Sequence, residues 1–136
     1  MTTPGIPEQQ RPNCKDVSET IQLEKTKRPE EVPSRTIRVE TVCGHIYVTV
    51  AHLDNKIFEV FVSIGGIGTC EYAQLSALTV AITMGIRHGV PVSTYIKKLR
   101  GIQCLKPTFT NGKKYMSCAD AIAQVLEQEE QHLKTI

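Results

Sequence analysis

The sequence has no tryptophan and few aromatic residues of any kind, three Phe and four Tyr in 136 residues. A core anchored on large rings is therefore excluded. The interior has to be built from Ile, Val, Leu and Ala, within a hydrophobic fraction of 40% that suits one modest domain. No apolar run approaches the ~20 residues that a membrane-spanning helix needs. Charge of one sign is also missing, since 16 basic and 14 acidic residues leave a net charge of +2. That balance argues against the concentrated basic face by which most nucleic-acid binders are recognised. The opening residues, MTTPGIPEQQRPNC, lack the basic-then-apolar order of a secretory signal. The expected compartment is the cytoplasm, where the five cysteines would be reduced or metal-bound rather than paired in disulfides.

What is present divides the chain in two. Residues 1–34 read as a disordered leader, punctuated by Pro4, Pro7, Pro12, Pro29 and Pro33 and otherwise mostly polar or charged. Ile21 and Leu23 are its only close apolar pair. Residues 35–136 read as one α+β domain. Three alternating runs, TIRVETV, HIYVTVAHL and IFEVFVSI, predict a three-stranded antiparallel meander. Cys43-Gly44 supplies the first turn and Asp54-Asn55-Lys56 the second.

Three helices are expected to follow and to pack on one face of this meander, which is too small to be stable uncovered. In the first, Leu75, Leu78, Ile82 and Ile86 recur at helical spacing with Ala77, Val80 and Ala81 beside them. That girth is apolar enough to predict a central position. Gly89 ends this helix and Pro91 opens the next, whose inward residues are Val92, Tyr95, Ile96 and Leu99. A loop or short hairpin around Asn111-Gly112 leads to the last helix, capped by Ser117 with Asp120 at its third position. Ile122, Val125, Leu126 and Leu133 point inward there, and the EQEEQH segment is expected in solvent.

The chemistry-bearing residues are the cysteines. Cys43, Cys70, Cys104 and Cys118 all fall at predicted element boundaries, whereas Cys14 lies in the leader. No C-x-x-C pair is present, so spacing alone does not define a zinc site. Turn tips and helix starts do converge at one end of a layered domain, and four thiolates would satisfy a tetrahedral zinc ion. Two other readings stay open: small buried hydrophobes, or redox thiols activated at helix N-termini. His45 is a spare ligand candidate and equally a surface histidine. The glycines at positions 65, 66 and 68 make a corner before Cys70. They lack the Lys-Ser or Lys-Thr of a phosphate loop and the full dinucleotide pattern. Lys97, Lys98, Arg100, Lys106, Lys113 and Lys114 make the second half locally basic. Glu71 and Asp120 sit in first helical turns, where the helix dipole favours carboxylates.

The blocks VCGHIYVTV, FEVFVSIGGIGTC, AQLSAL, IRHGVP, LRGIQC and SCADAIAQVL occur in this order. Together they resemble the TSCPD domain, over about residues 35–130. That domain takes its name from a Thr-Ser-Cys-Pro-Asp motif. Here the motif reads Met116-Ser117-Cys118-Ala119-Asp120, which keeps Ser, Cys and Asp and lacks Thr and Pro. The resemblance implies a module found at the C-terminal end of adenosylcobalamin-dependent ribonucleotide reductases and also as a stand-alone chain. Cys43, Cys70, Cys104 and Cys118 match cysteine positions of that domain. The implied role is accessory, serving deoxynucleotide supply beside a reductase catalytic chain. This chain has no room for the catalytic barrel, so no catalytic residue and no cobalamin site are expected in it. The alternative is a small module, stabilised by zinc on four cysteines, that binds nucleic acid or protein on its own.

Overall fold

The computed structural model describes residues 24–64 and 68–135. Cys14, Ile21, Leu23 and the glycines at 65 and 66 lie outside them. The meander forms as the alternation predicts, from β1 (Ser34–Thr41), β2 (Gly44–Leu53) and β3 (Lys56–Ile64), in the order β1-β2-β3. Its register places Val39 opposite Ile46 and Val48 between Ile37 and Val62. These branched residues therefore share one face, as period-2 alternation requires. Ile46, Val48, Val50 and Val60 are almost wholly buried there. The second turn holds Asp54 and Asn55 at φ 53° and 59°, the left-handed pair that matches the twist of a tight hairpin.

Helix α1 (Cys70–Arg87) follows, then α2 (Val92–Leu99), a small hairpin of β4 (Thr108–Thr110) and β5 (Lys113–Tyr115), and α3 (Cys118–Thr135). The α+β architecture is as expected, but the roles of the helices are exchanged. The central helix is α3, which packs on all three strands and buries Ala121, Ile122, Ala123, Val125 and Leu126. Each such aliphatic burial contributes about 1.5–3 kcal/mol for the larger side chains.

Helix α1 runs along the open edge of β3 instead. The Thr83 hydroxyl accepts the Val60 N–H at 3.0 Å and donates to the Val60 carbonyl at 2.8 Å. An edge strand exposes just such unpaired groups, and a buried hydroxyl that satisfies both of them holds the helix at the edge. Leu75 and Ile82 face inward as predicted, but Ala77, Val80 and Ala81 are exposed rather than buried. The EQEEQH segment also differs from expectation. Glu129 is buried on the stripe continued by Leu133, with Arg35 at 3.2 Å from its carboxylate.

Residues 24–33, within the expected leader, make defined contacts. Thr26 donates its N–H to the Arg87 carbonyl at 2.9 Å, and the Arg87 guanidinium donates back to the Thr26 carbonyl. Arg28 donates to the buried Glu59 carboxylate at 2.9 and 3.1 Å. A charge buried without such a partner would be strongly destabilising.

Helix α2 packs on α3 and meets α1 at Gly85. A Cβ at Gly85 would lie 1.6 Å from the Tyr95 hydroxyl and 2.9 Å from the ring carbon that bears it. Alanine gains up to about 1 kcal/mol in helix propensity over glycine, but overpacking costs about 1–3 kcal/mol. Gly85→Ala is expected to lower the urea midpoint, and adding Tyr95→Phe to recover part of the loss. A double-mutant cycle measured by urea unfolding checks this. Additive effects would show that Tyr95 does not define the site.

Candidate functional site

The four folded-region cysteines come from four separate junctions and line one cleft. Cys43 sits in the β1–β2 turn, Cys70 begins α1, Cys104 follows α2, and Cys118 begins α3. All four border a cavity of about 370 Å³ at one end of the domain, together with Leu75 and Ile102. Cys43 and Cys70 are exposed, Cys104 and Cys118 half-buried. The convergence that spacing left undecided is thus a property of the fold. The Cys118 thiol donates to the Thr41 hydroxyl at 3.4 Å, which links the start of α3 to the first turn.

The local chemistry at each junction is ordinary helix and turn capping. Gly68 takes φ 91°, a conformation glycine adopts freely. Thr69 then caps α1 by accepting the Tyr72 N–H at 3.2 Å. Ser117 caps α3, as predicted, accepting the Asp120 N–H at 3.1 Å.

The residue that organises the cleft is Asp120, whose role the sequence did not show. Its buried carboxylate accepts the Gly101 N–H at 2.9 Å on one oxygen. The other oxygen accepts the Met116 N–H at 2.9 Å and the Gln124 amide at 2.8 Å. Arg100 approaches at 3.6 Å. Met116 in turn accepts the Cys104 N–H at 2.9 Å. One side chain therefore holds both ends of the segment between α2 and α3, the segment that carries Cys104 and leads into Cys118. The Ser-x-x-Asp spacing signalled a local cap but gave no sign of the long-range bond to Gly101.

The thiols feel one another. Partial desolvation at the cleft wall first, then the hydrogen bond with Cys118 and the negative charge available on Cys118, Glu71 and Cys104, push the Cys43 thiol up to about 11. Hydrogen bonds from Gly101, Met116 and Gln124, with the Arg100 charge, outweigh burial and lower the Asp120 carboxyl below its ordinary value.

Among the described residues, no three His, Cys, Asp or Glu side chains are grouped as ligands of one ion. The donor set itself, four thiols on one cleft, has the chemistry of a soft-metal site. His45 lies away from it on the outer face, at hydrogen-bond distance from Arg38 (2.9 Å) and 3.4 Å from Glu40. Of the basic residues, Arg100 is engaged by Asp120 and Glu127 and Lys113 reaches Gln128.

A family model for the TSCPD domain matches residues 18–130. The chain belongs to the TSCPD domain family. The match begins well before β1, so the family's extent includes the contacts of Thr26 and Arg28 described above. No curated protein and no solved structure matched the chain. In this TSCPD domain the motif aspartate and cysteine, Asp120 and Cys118, have separable roles. One braces the loop and the other lines the cleft. Among the described residues, no helix is long and apolar enough to cross a membrane.

Two outcomes test this geometry. A carboxyl held below its ordinary value of 3.8 adds stability above that pH, which is lost as pH falls through the lowered value. Asp120→Asn is therefore expected to cost about 1–3 kcal/mol at pH 7, with the gap from wild type closing below pH ~4. Urea titrations across that range measure it, and a gap that persists unchanged at low pH would refute the assignment. In metal-free protein, Cys43 is expected to carry a roughly 100-fold smaller thiolate fraction at pH 8 than an ordinary thiol. Its iodoacetamide alkylation, followed by peptide mass spectrometry, should keep rising with pH beyond about 9. A plateau near pH ~9 would contradict the crowding of thiols.

Proposed function

We propose that this chain is a non-catalytic accessory module of ribonucleotide reduction, acting in deoxynucleotide supply, whose cysteine end holds a structural zinc ion and docks on a reductase catalytic chain. The observation that carries the reading is the convergence of Cys43, Cys70, Cys104 and Cys118 on one cleft in a chain of the TSCPD family. That family's domain occurs at the C-terminal end of adenosylcobalamin-dependent reductases. The described residues form one small α+β unit, which offers no barrel to hold a nucleotide and a radical cofactor.

Zinc fits the electrostatics of the cleft. Neighbouring thiolates raise one another's proton affinity, as at Cys43, and a divalent cation among them reverses that effect by stabilising every thiolate. The four cysteines would supply the whole ligand set, and the bound ion would supply structural cross-linking rather than catalysis. The four thiols are not grouped as ligands of one ion among the described residues, so metal binding would have to draw them together. Val42 and Ile102, which line the cleft, are about half exposed, and Leu105 next to Cys104 is fully exposed. Such a rim suits a protein surface better than phosphates do. The alternative reading, a free-standing zinc-stabilised module that binds nucleic acid or protein, rests on the four cysteines and the basic second half.

The deciding measurement is elemental analysis of the reduced protein with a thiol count before and after unfolding. The expected result is about one zinc per chain, with the four cleft thiols released only on unfolding. Cys104→Ser and Cys118→Ser should each lose the metal, whereas Cys14→Ser should keep it. Metal-free protein with fast-reacting thiols would overturn the zinc assignment in favour of thiol exchange with the reductase. The accessory role has its own test. Deleting the chain should impair the assembly or rate of a co-resident reductase, and the isolated chain should reduce no nucleotide. Steeply salt-dependent DNA binding would favour the alternative instead.

A further inference from the structure

A three-stranded sheet has two edges, and this fold covers one of them. The edge of β3 is held by α1 through Thr83. β1 pairs with β2 on one side and with no strand on the other. The direction of its main-chain groups follows from the register. The His52 N–H donates to the Pro33 carbonyl at 3.0 Å, and the pairing continues without a bulge from Ser34–Ala51 to Thr41–Gly44. Antiparallel partners alternate between bonded and unbonded pairs. Arg35, Ile37 and Val39 therefore bond β2, while Thr36, Arg38 and Glu40 aim their N–H and C=O groups away from it. Among the described residues, no main-chain group pairs with those outward groups. A regular edge of this kind is a template for another chain unless it is blunted. β1 contains no proline, and its inward charge, Arg35, is taken up by Glu129.

The open edge is one wall of a cavity of about 310 Å³. Residues 37–40 of β1 line that wall, Lys113 and Tyr115 of the hairpin stand opposite, and Val125 and Gln128 of α3 complete the lining. We propose that this groove binds an extended acidic peptide segment of a partner protein, added to β1 as a fourth strand. The outward groups of Arg38 and Glu40 pair with the peptide main chain, the mode by which sheet edges take up peptides. An inward side chain of the peptide meets the half-buried Ile37. The charge of the groove selects carboxylates. Glu40 is already faced by Arg38 at 3.9 Å and His45 at 3.4 Å. Lys113 donates to the neutral Gln128 amide oxygen at 3.4 Å and has no carboxylate partner among the described residues. The chain has no Asp or Glu between Glu71 and Asp120, so the hairpin supplies no acid of its own to Lys113 or Lys114. The volume lies at the low end for ligand pockets, which suits a short strand between β1 and the hairpin rather than the sheet edge of a second copy. The groove is independent of the cysteine cleft's ligand and of the reductase reading.

Amide hydrogen exchange of the full reduced chain, read by NMR, tests the open edge. The Arg38 and Glu40 amides are expected to exchange fast and those of Ile37 and Val39 slowly. Slow exchange at all four overturns the proposal, because the edge is then already covered, by a second copy if the rates depend on protein concentration and by this chain if they do not. Random heptapeptides displayed and selected on the same protein supply the probe. Acidic peptides are expected to be enriched, to slow exchange at Arg38 and Glu40, and to lose binding when alternate amides are N-methylated. Arg38→Pro removes an outward N–H, a change that edge strands accept, and should weaken binding on the order of 100-fold. Arg38→Ala keeps the N–H and should preserve binding. Lys113→Glu should weaken it by about 10-fold, and circular dichroism should show all three variants folded. If the proline variant does not fold, the N-methylated peptides decide. A selection that enriches no acidic peptide overturns the proposal, as do peptides that leave Arg38 and Glu40 unprotected or that tolerate N-methylation at every amide.

Discussion

The carboxylate of Asp120 is the interaction on which the cysteine end of this protein depends. The segment between α2 and α3 has only a two-stranded hairpin of its own, and a hairpin of that size is marginal without support. Asp120 supports both of its ends, through the Gly101 and Met116 N–H groups. It does so from the first turn of the most deeply buried helix, where its charge is also favoured by the dipole. The position of Cys104 relative to Cys118 follows from this brace. Without it, Cys104 would ride on a loop free to move away from the other three thiols.

The same division between a rigid layer and chemistry-bearing junctions runs through the whole domain. The sheet and α3 form a packed interior of aliphatic residues. Among the described residues no cysteine is part of the fully buried cluster, and Cys118 packs against its edge. The cysteines stand where strands turn and helices begin, at backbone positions fixed by Gly44, Gly68, Thr69 and Ser117. Such junctions tolerate a thiol because they do not have to fill a core. Their convergence on one cleft gives this end of the domain its distinctive chemistry. Two further polar anchors, Glu129 with Arg35 and Glu59 with Arg28, pin α3 and the segment before β1 to the sheet. Both are buried charges whose partners reach in from the surface, an arrangement that fixes geometry more than it adds stability.

Local pattern determined a great deal of this protein. Alternation specified three strands and the two faces of each, although Ala51, Ile57 and Glu59 are buried as well on the second face. Asp54-Asn55 and Asn111-Gly112 specified hairpin turns, and Ser117 and Gly89 marked helix ends. These features depend on sterics and hydrogen bonds within a few residues, so the sequence expresses them directly. The family followed from the same blocks taken in order. What only the tertiary structure decided involves partners far apart in the chain. Apolar periodicity put α1 at the centre, yet the buried hydroxyl of Thr83 places it on the edge of β3, because it satisfies an edge carbonyl and N–H that no sequence window contains. Composition put Glu129 in solvent, yet the inward stripe of α3 carries it to Arg35. The four cysteines, spaced without any ligand signature, meet in one cleft because packing brings their junctions to one end of the domain, where the bond from Asp120 to Gly101 holds the segment that carries Cys104, a contact set in three dimensions rather than by spacing along the chain.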